Sequence, residues 1–239
     1  MSNATEHGYL DYNREERNIC AHLFRLLLED QPEWRPLKQF LGVSEVRNPA
    51  VYCEASIIRD AYHVRRRNAA EFVHSLCELT AEQRGIDMYT RFADLPEDIC
   101  SQHKTHPRQI AWKLKERGLL TADADAAVYG ALQGLFNAKP DLVICEGETL
   151  WVYEAKFTQK FDDKQMQRTR EIADIWACLL HRDLGFSDSP AVEVRRLGLR
   201  PEESDITWKD VCGIARGFWN ADDFSLRVLN SAAAMAGTN

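Results

Sequence analysis

The sequence predicts an α/β fold in which a small mixed sheet is flanked by helices and interrupted by a largely helical insertion. Residues 139–145 and 149–157 have the composition of apolar strands and are separated by a short break at Gly147, which is a hairpin pattern. Residues 190–199 supply a later strand. Apolar residues at helical spacing precede and follow the hairpin over long stretches.

Composition restricts the class of protein. The 239 residues are 45% hydrophobic and 28% charged, which fits one globular domain with an insertion or two small domains. No apolar run reaches about 18 residues, so no membrane association is expected, and the first residues lack the apolar segment of a signal peptide. The seven cysteines show no C-x-x-C spacing, and their odd number argues against a disulfide framework. We therefore expect reduced thiols and a cytoplasmic protein.

The formal net charge of −7 disfavours a broad basic surface for nucleic acid. A basic patch would have to be local, or a protein partner would have to supply it. The densest basic run is Arg65-Arg66-Arg67, which could contact phosphates or form a solvated helix face.

The first helix is predicted from residue 13 to residue 30, where apolar residues form one stripe. Prolines and a glycine in residues 31–48 indicate a connection with a short helix. Asn48-Pro49 is typical of a helix start, so residues 50–79 are predicted to be helical. Residues 80–135 continue as helices and loops.

After the hairpin in sequence, residues 160–184 follow helical spacing. The strand at 190–199 and further helices complete the chain. These elements divide the chain into three parts. Residues 1–30 are the first helix of the core, residues 31–135 are a mostly helical insertion or subdomain, and residues 136–239 hold the hairpin and the rest of the core.

Charged residues lie at one end of the otherwise apolar hairpin. Because side chains alternate along a strand, Glu154 and Lys156 are expected to share a face with Leu150 and Val152, while Asp141 begins the neighbouring strand. Buried charges are costly unless they are paired or bind a metal. Carboxylate oxygens suit a hard divalent cation, which activates water and neutralises phosphate charge. The pattern therefore indicates phosphodiester hydrolysis; the alternative is a surface hairpin with a solvated ion pair.

Pro140-Asp141, followed 13 residues later by Glu154-Ala155-Lys156, resembles the signature of the PD-(D/E)xK nuclease superfamily. The resemblance implies a restriction-endonuclease-like core and a nuclease that requires Mg²⁺ or Mn²⁺ and whose favoured substrate is DNA. It also implies that Asp141, Glu154 and the carbonyl of Ala155 bind the metal. Lys156 would position or activate the attacking water.

In many members of this family, the first helix directs a glutamate toward the metal. Glu16 heads the apolar stripe of the first predicted helix, where it would either bind the metal or simply favour the helix dipole. Glu54 has apolar neighbours at helical spacing in the predicted helix at 50–79, so it is the other candidate.

Gln165 heads the buried stripe of the helix behind the hairpin, nine residues after Lys156. It resembles the glutamine of the Q-x-x-x-Y element in the RecB-like branch, although Thr169 replaces the tyrosine. The other face of this helix carries basic residues that could contact phosphates or be merely solvated: Lys160, Lys164 and Arg168.

Two other functions stay open. The same fold could cleave RNA, and no residue that would recognise a 2′-hydroxyl is identified. The chain could instead be a non-catalytic nucleic-acid- or protein-binding subunit of a larger complex. In either case a protein partner or a homo-oligomer is compatible with the sequence.

Overall fold

The computed structural model describes residues 16–100, 106–157 and 160–234, apart from the side chains of Glu16 and Arg66. The α-helices are α1 (Glu16–Leu27), α2 (Arg35–Leu41), α3 (Ile57–Val64), α4 (Ala69–Arg84), α5 (Glu97–Cys100), α6 (Ile110–Glu116), α7 (Asp123–Asn137), α8 (Asp163–Leu180), α9 (Trp208–Ala215) and α10 (Phe224–Ala234). The strands are β1 (Ala50–Cys53), β2 (Leu142–Glu146), β3 (Thr149–Ala155), β4 (Ala191–Gly198) and β5 (Ile206–Thr207). Short 3₁₀ turns occur at Arg66–Asn68, Phe92–Asp94 and Pro107–Gln109.

The strands form one mixed sheet in the order β1-β2-β3-β4-β5, which confirms the predicted α/β class with a small mixed sheet. β1, β2 and β3 are antiparallel neighbours, whereas β4 and β5 continue the sheet in parallel with β3. The β2–β3 hairpin turns at Gly147, whose φ of 57° is left-handed and costs glycine little. The parallel step to β4 requires a crossover connection, and α8 lies in that connection.

Strand β1 corrects the prediction of a helix over residues 50–79. Asn48-Pro49 does not begin a helix; instead Ala50 pairs with Cys145, and Cys53 pairs with Leu142. Helical structure begins only with α3. Within residues 50–53, Val51 and Tyr52 favour a strand. Hydrogen bonding to the edge of β2 outweighs the local helix signal.

The chain divides into two compact units. Within the described residues, the first unit comprises 16–55, 140–168 and 191–234, and the second comprises 56–139 and 169–190. The predicted insertion at 31–135 differs from this division at its start. Residues 31–55 hold α2 and β1, which belong with the sheet because β1 pairs with β2.

The core of the first unit lies between one face of the sheet and the helices α1, α2, α9 and α10. Alternate residues of β3, namely Trp151, Tyr153 and Ala155, face this core. Leu150 and Val152 are fully buried on the opposite face of the strand, as the alternation predicts. The alternative of a solvated surface hairpin is therefore wrong.

The second unit has a core of its own around α4 and α7. The buried Asp125 carboxylate accepts hydrogen bonds from the N–H groups of Tyr89, at 2.8 Å, and Thr90, at 3.1 Å. Arg65, from the basic run, pairs with Asp183 and lies over a phenylalanine ring. Its guanidinium therefore has a structural role in this unit.

No helix of the described chain is long and apolar enough to span a bilayer.

Helices α1 and α10 of the first unit are joined by a polar cluster. Arg25 donates to both carboxylate oxygens of Asp223 at 3.0 Å and to Ser225 Oγ at 2.7 Å. His22 Nδ1 lies 2.9 Å from the same hydroxyl, and Ser225 is 3% exposed. The Arg25 guanidinium also stacks on the Trp219 ring, 4.6 Å from its centroid.

Replacing Arg25 with alanine is expected to lower the free energy of unfolding by about 1–3 kcal/mol, because a bidentate ion pair and a bond to a buried hydroxyl are lost. Arg47→Ala is the matched control, since Arg47 pairs with Glu45 at a surface where the side chains are 81% and 73% exposed. Its effect should stay within about 0.5 kcal/mol. Urea unfolding at pH 7 measures both, and equal losses would contradict the assigned role of Arg25.

Candidate active site

Three acidic residues and one arginine lie in a single row across four strands. The N–H of Glu54 donates to the carbonyl of Asp141 at 3.2 Å, which extends the β1–β2 ladder by one residue. The β2–β3 register, continued by one residue, places Asp141 opposite Glu154. Glu154 pairs with Arg196 in the parallel register of β3 and β4. We call Glu54, Asp141, Glu154 and Arg196 the charged row.

A hydrogen bond joins the two halves of the motif. The N–H of Ala155 donates to Asp141 Oδ2 at 2.7 Å. Burial raises the pKa of Asp141 to about 7, and this hydrogen bond opposes the shift. The charges of Glu154 and Glu54 raise the pKa further, whereas the ammonium of Lys156 lowers it. The Asp141 carboxyl therefore lies within the electrostatic field of the other charged groups, and its surroundings do not fully compensate a negative charge near neutral pH.

Glu154 is held from the side of α8. Its side chain is almost buried, at 8% exposed, and Oε2 accepts a hydrogen bond from Gln165 Nε2 at 2.9 Å. Gln165 lies in the first turn of α8, and its hydrogen bond links this helix to Glu154 in β3. The amide therefore orients the carboxylate.

The backbone of Lys156 is fixed on both sides. Its N–H donates to the carbonyl of Leu197 at 2.8 Å, and its carbonyl accepts from Trp208 Nε1 at 3.1 Å. The side chain is half-buried at the end of β3. A rigid backbone with a partly exposed ammonium allows Lys156 to reach a substrate while staying close to Asp141.

The structure thus brings together most of the predicted site: Asp141, Glu154, Ala155, Lys156, Gln165 and Glu54. Glu54 is not on a helix, which corrects its predicted setting; it follows β1 with a φ of 54°. The Glu16 side chain lies outside the described residues. Lys160, Lys164 and Arg168 are exposed at the start of α8 or just before it.

The donor set suits a hard divalent cation better than a soft one. Burial raises the pKa of the Cys53 thiol to about 11, with Glu54 and Asp141 adding repulsion, so a metal-binding thiolate is disfavoured there. In the described part of the chain, no group of three or more His, Cys, Asp or Glu side chains could hold a metal. Carboxylate and carbonyl oxygens are nevertheless the kind of ligand that Mg²⁺ takes, and this cation usually keeps waters and binds substrate phosphate.

Arg196 is the member of the charged row that the sequence pattern did not single out. It falls in the strand predicted at residues 190–199, but only the β3–β4 register shows that it lies beside Glu154. Its guanidinium donates to Asp163 Oδ1 at 2.9 Å and lies 5.8 Å from the centroid of the Phe161 ring. Gly198 leaves room for that ring, since a Cβ there would lie 2.9 Å from it.

Replacing Asp141 with asparagine is expected to stabilise the metal-free protein at alkaline pH. The raised pKa means that the folded state favours the protonated carboxyl, so the wild type loses stability as pH rises from the ordinary pKa of 3.8 to about 7. Asparagine can still accept the Ala155 N–H but carries no charge. The gain in free energy of unfolding should be at most roughly 4 kcal/mol at pH 8.5 and near zero at pH 4.

Urea unfolding in the presence of a chelator, repeated between pH 4 and pH 8.5, measures this difference. Asp222→Asn is the control, because Asp222 is exposed and outside the charged row. Parallel pH profiles for the wild type and the Asp141 variant would show that burial of this carboxyl carries no cost.

Comparison of the chain with protein-family models, with curated proteins and with solved structures gives no match. The function of the charged row must therefore be inferred from its own contacts, burial and charges.

Proposed function

We propose that the chain is a divalent-metal-dependent nuclease that hydrolyses phosphodiester bonds, with DNA as the preferred substrate and RNA as the alternative. The observation that carries the proposal is the 2.7 Å hydrogen bond from the Ala155 N–H to the Asp141 carboxylate. It joins the two halves of the motif at the adjoining ends of antiparallel strands, where Glu154 and Lys156 also lie. The mixed sheet with flanking helices is compatible with the restriction-endonuclease-like core that the motif resemblance implies.

Asp141, Glu154 and the carbonyl of Ala155 are the groups that would hold Mg²⁺ or Mn²⁺. The bound cation would supply positive charge to the phosphate and lower the pKa of a water molecule. The elevated pKa of Asp141 supports this assignment, because a buried carboxylate beside other acids is stabilised by a cation. Glu54 is the further acid of the row and would add negative charge on the β1 side.

Lys156 would orient the attacking water or hold its proton, because its ammonium lies close enough to lower the pKa of Asp141. Hydrogen bonds on both sides of its backbone limit the positions that the side chain can reach. A catalytic group that is already held in position lowers the entropic part of the barrier to reaction. Gln165 would act through Glu154, whose carboxylate it orients, and is therefore a positioning residue.

The nucleic acid would approach along the start of α8. Lys160, Lys164 and Arg168 are exposed there, close in sequence to Gln165, which contacts Glu154. With a formal net charge of −7, the chain would gain further affinity from a protein partner or a second copy of itself. The seven cysteines are free, which suits a reducing compartment, so we assign the proposed activity to the cytoplasm.

A second candidate function is a non-catalytic nucleic-acid-binding subunit. It rests on the exposed basic side chains at the start of α8, which could contact phosphates without any cleavage. The two candidates differ in whether cleavage accompanies binding.

Cleavage should be assayed on matched linear, circular and single-stranded DNA and on RNA, with Mg²⁺, Mn²⁺ or a chelator. Asp141→Asn should lower the rate by at least about 10³-fold, and Lys156→Met by about 10²- to 10⁴-fold, because a metal ligand and a proton-handling group are removed. Calorimetric Mg²⁺ binding should persist in the lysine variant. Metal-dependent cleavage that survives both substitutions would overturn the nuclease proposal.

Gln165→Ala should lower metal affinity or cleavage by about 10- to 100-fold, because Glu154 loses the group that orients it. Gln167→Ala is the matched control, since Gln167 is exposed on the same helix. Mg²⁺ titration and cleavage rates at saturating metal separate the two effects. Identical results for the two variants would remove Gln165 from the site.

A further inference from the structure

We propose that Arg196 forms a phosphate-binding subsite next to the carboxylates and that Asp163 fills this subsite when no substrate is bound. The inference rests on the proposed nuclease function and goes beyond it by assigning a substrate contact. The ligand is a phosphodiester group of the nucleic-acid backbone, adjacent to the group that is cleaved.

The position of Arg196 follows from the sheet register. Residues paired across parallel strands leave the sheet on the same face, so Arg196 and Glu154 share a face. Neighbouring strands are about 4.8 Å apart, which puts the Cα atom of Arg196 about one strand spacing from Glu154 and two from Asp141. The charged row therefore carries acidic groups at one end and a single cation at the other.

The present partner of Arg196 is a weak competitor. The guanidinium donates to Asp163 Oδ1 at 2.9 Å, but the Asp163 side chain is 94% exposed and that of Arg196 is 37% exposed. An ion pair of this kind is worth only about 0–1 kcal/mol. A phosphate group offers two oxygens in the geometry that arginine binds best, so it can replace a single carboxylate contact.

The arginine is nevertheless held in place. Its backbone N–H donates to Asp205 Oδ2 at 2.7 Å, and its guanidinium lies over the Phe161 ring. The ring can approach β4 because residue 198 is glycine. These contacts hold the backbone and one face of the guanidinium, so that its N–H groups can exchange one anion for another.

The first turn of α8 connects the subsite to the carboxylates. Asp163 contacts Arg196, while Gln165, two residues later, contacts Glu154. A phosphate that displaces Asp163 therefore lies next to the residue that is proposed to bind the metal. Adjacent backbone phosphates of one strand could then occupy the metal site and the arginine subsite together.

The test measures binding of a labelled oligonucleotide to a parent protein that carries Asp141→Asn. This substitution is expected to prevent cleavage of the oligonucleotide. Measurements are made without metal. Arg196→Ala should weaken binding about 10-fold and lower the slope of log affinity against log salt by about one, and Arg196→Lys should retain part of the affinity. Asp163→Asn should tighten binding about 2- to 5-fold, because the competing carboxylate is removed.

Arg200→Ala is the matched control, since Arg200 lies near the end of β4 and pairs only weakly with Glu203 at 3.7 Å. Urea unfolding of each variant verifies the fold. The opposite signs of the Arg196 and Asp163 effects distinguish a phosphate subsite from a structural ion pair, which would make both variants weaker binders.

The inference is overturned if Arg196→Ala binds like the parent with the same salt slope, or if Asp163→Asn weakens binding as much as Arg196→Ala. If binding depends on Arg196 but the wild type does not cleave with any metal, the subsite is supported and the nuclease proposal is rejected. Cleavage by the wild type that is indifferent to Arg196 would do the reverse. Absence of oligonucleotide binding by the parent would overturn the subsite, whereas the cleavage assay on the wild type decides the nuclease proposal.

Discussion

The hydrogen bond between the Ala155 N–H and the Asp141 carboxylate is the interaction on which the rest of the site depends. It holds the start of β2 against the end of β3 at the point where the apolar strands carry charge. Because the carboxyl is buried and faces other acids, its pKa rises to about 7. The protein therefore keeps a group that destabilises the folded state when it is ionised, and such conflicts are typical of functional sites rather than of structural ones.

The surrounding contacts restrict where each charged group can lie. Lys156 is fixed through its backbone, Glu154 through the amide of Gln165, and Arg196 through a backbone bond and an aromatic ring. Each of these supports is an ordinary hydrogen bond or ring contact. Together they produce a row of acids and one arginine. The first turn of α8 contacts two neighbouring members of the row, because Asp163 pairs with Arg196 and Gln165 contacts Glu154.

The helical unit that follows β1 has its own core and its own buried polar support at Asp125. Its presence separates β1 from β2 in sequence, although the two strands are neighbours in the sheet. An insertion at this point is compatible with an intact sheet because the ladder depends on backbone pairing and not on the length of the connection; each doubling of a loop adds only about 0.6 kcal/mol of closure entropy. Glu54 and Asp141, which flank this insertion in sequence, are therefore still neighbours in the sheet.

The sequence by itself determined the β2–β3 hairpin, its turn at Gly147, the face of each side chain and the approach of Asp141 to Glu154 and Lys156. These features follow from a two-residue alternation and a local turn, so neighbouring residues suffice to predict them. Only the tertiary structure decided that residues 50–53 form a strand, that Glu54 lies beside Asp141, that Gln165 contacts Glu154 and that Arg196 completes the row. Each of these depends on the register or packing of segments distant in sequence, and a local pattern carries no information about which residues face one another across such a distance.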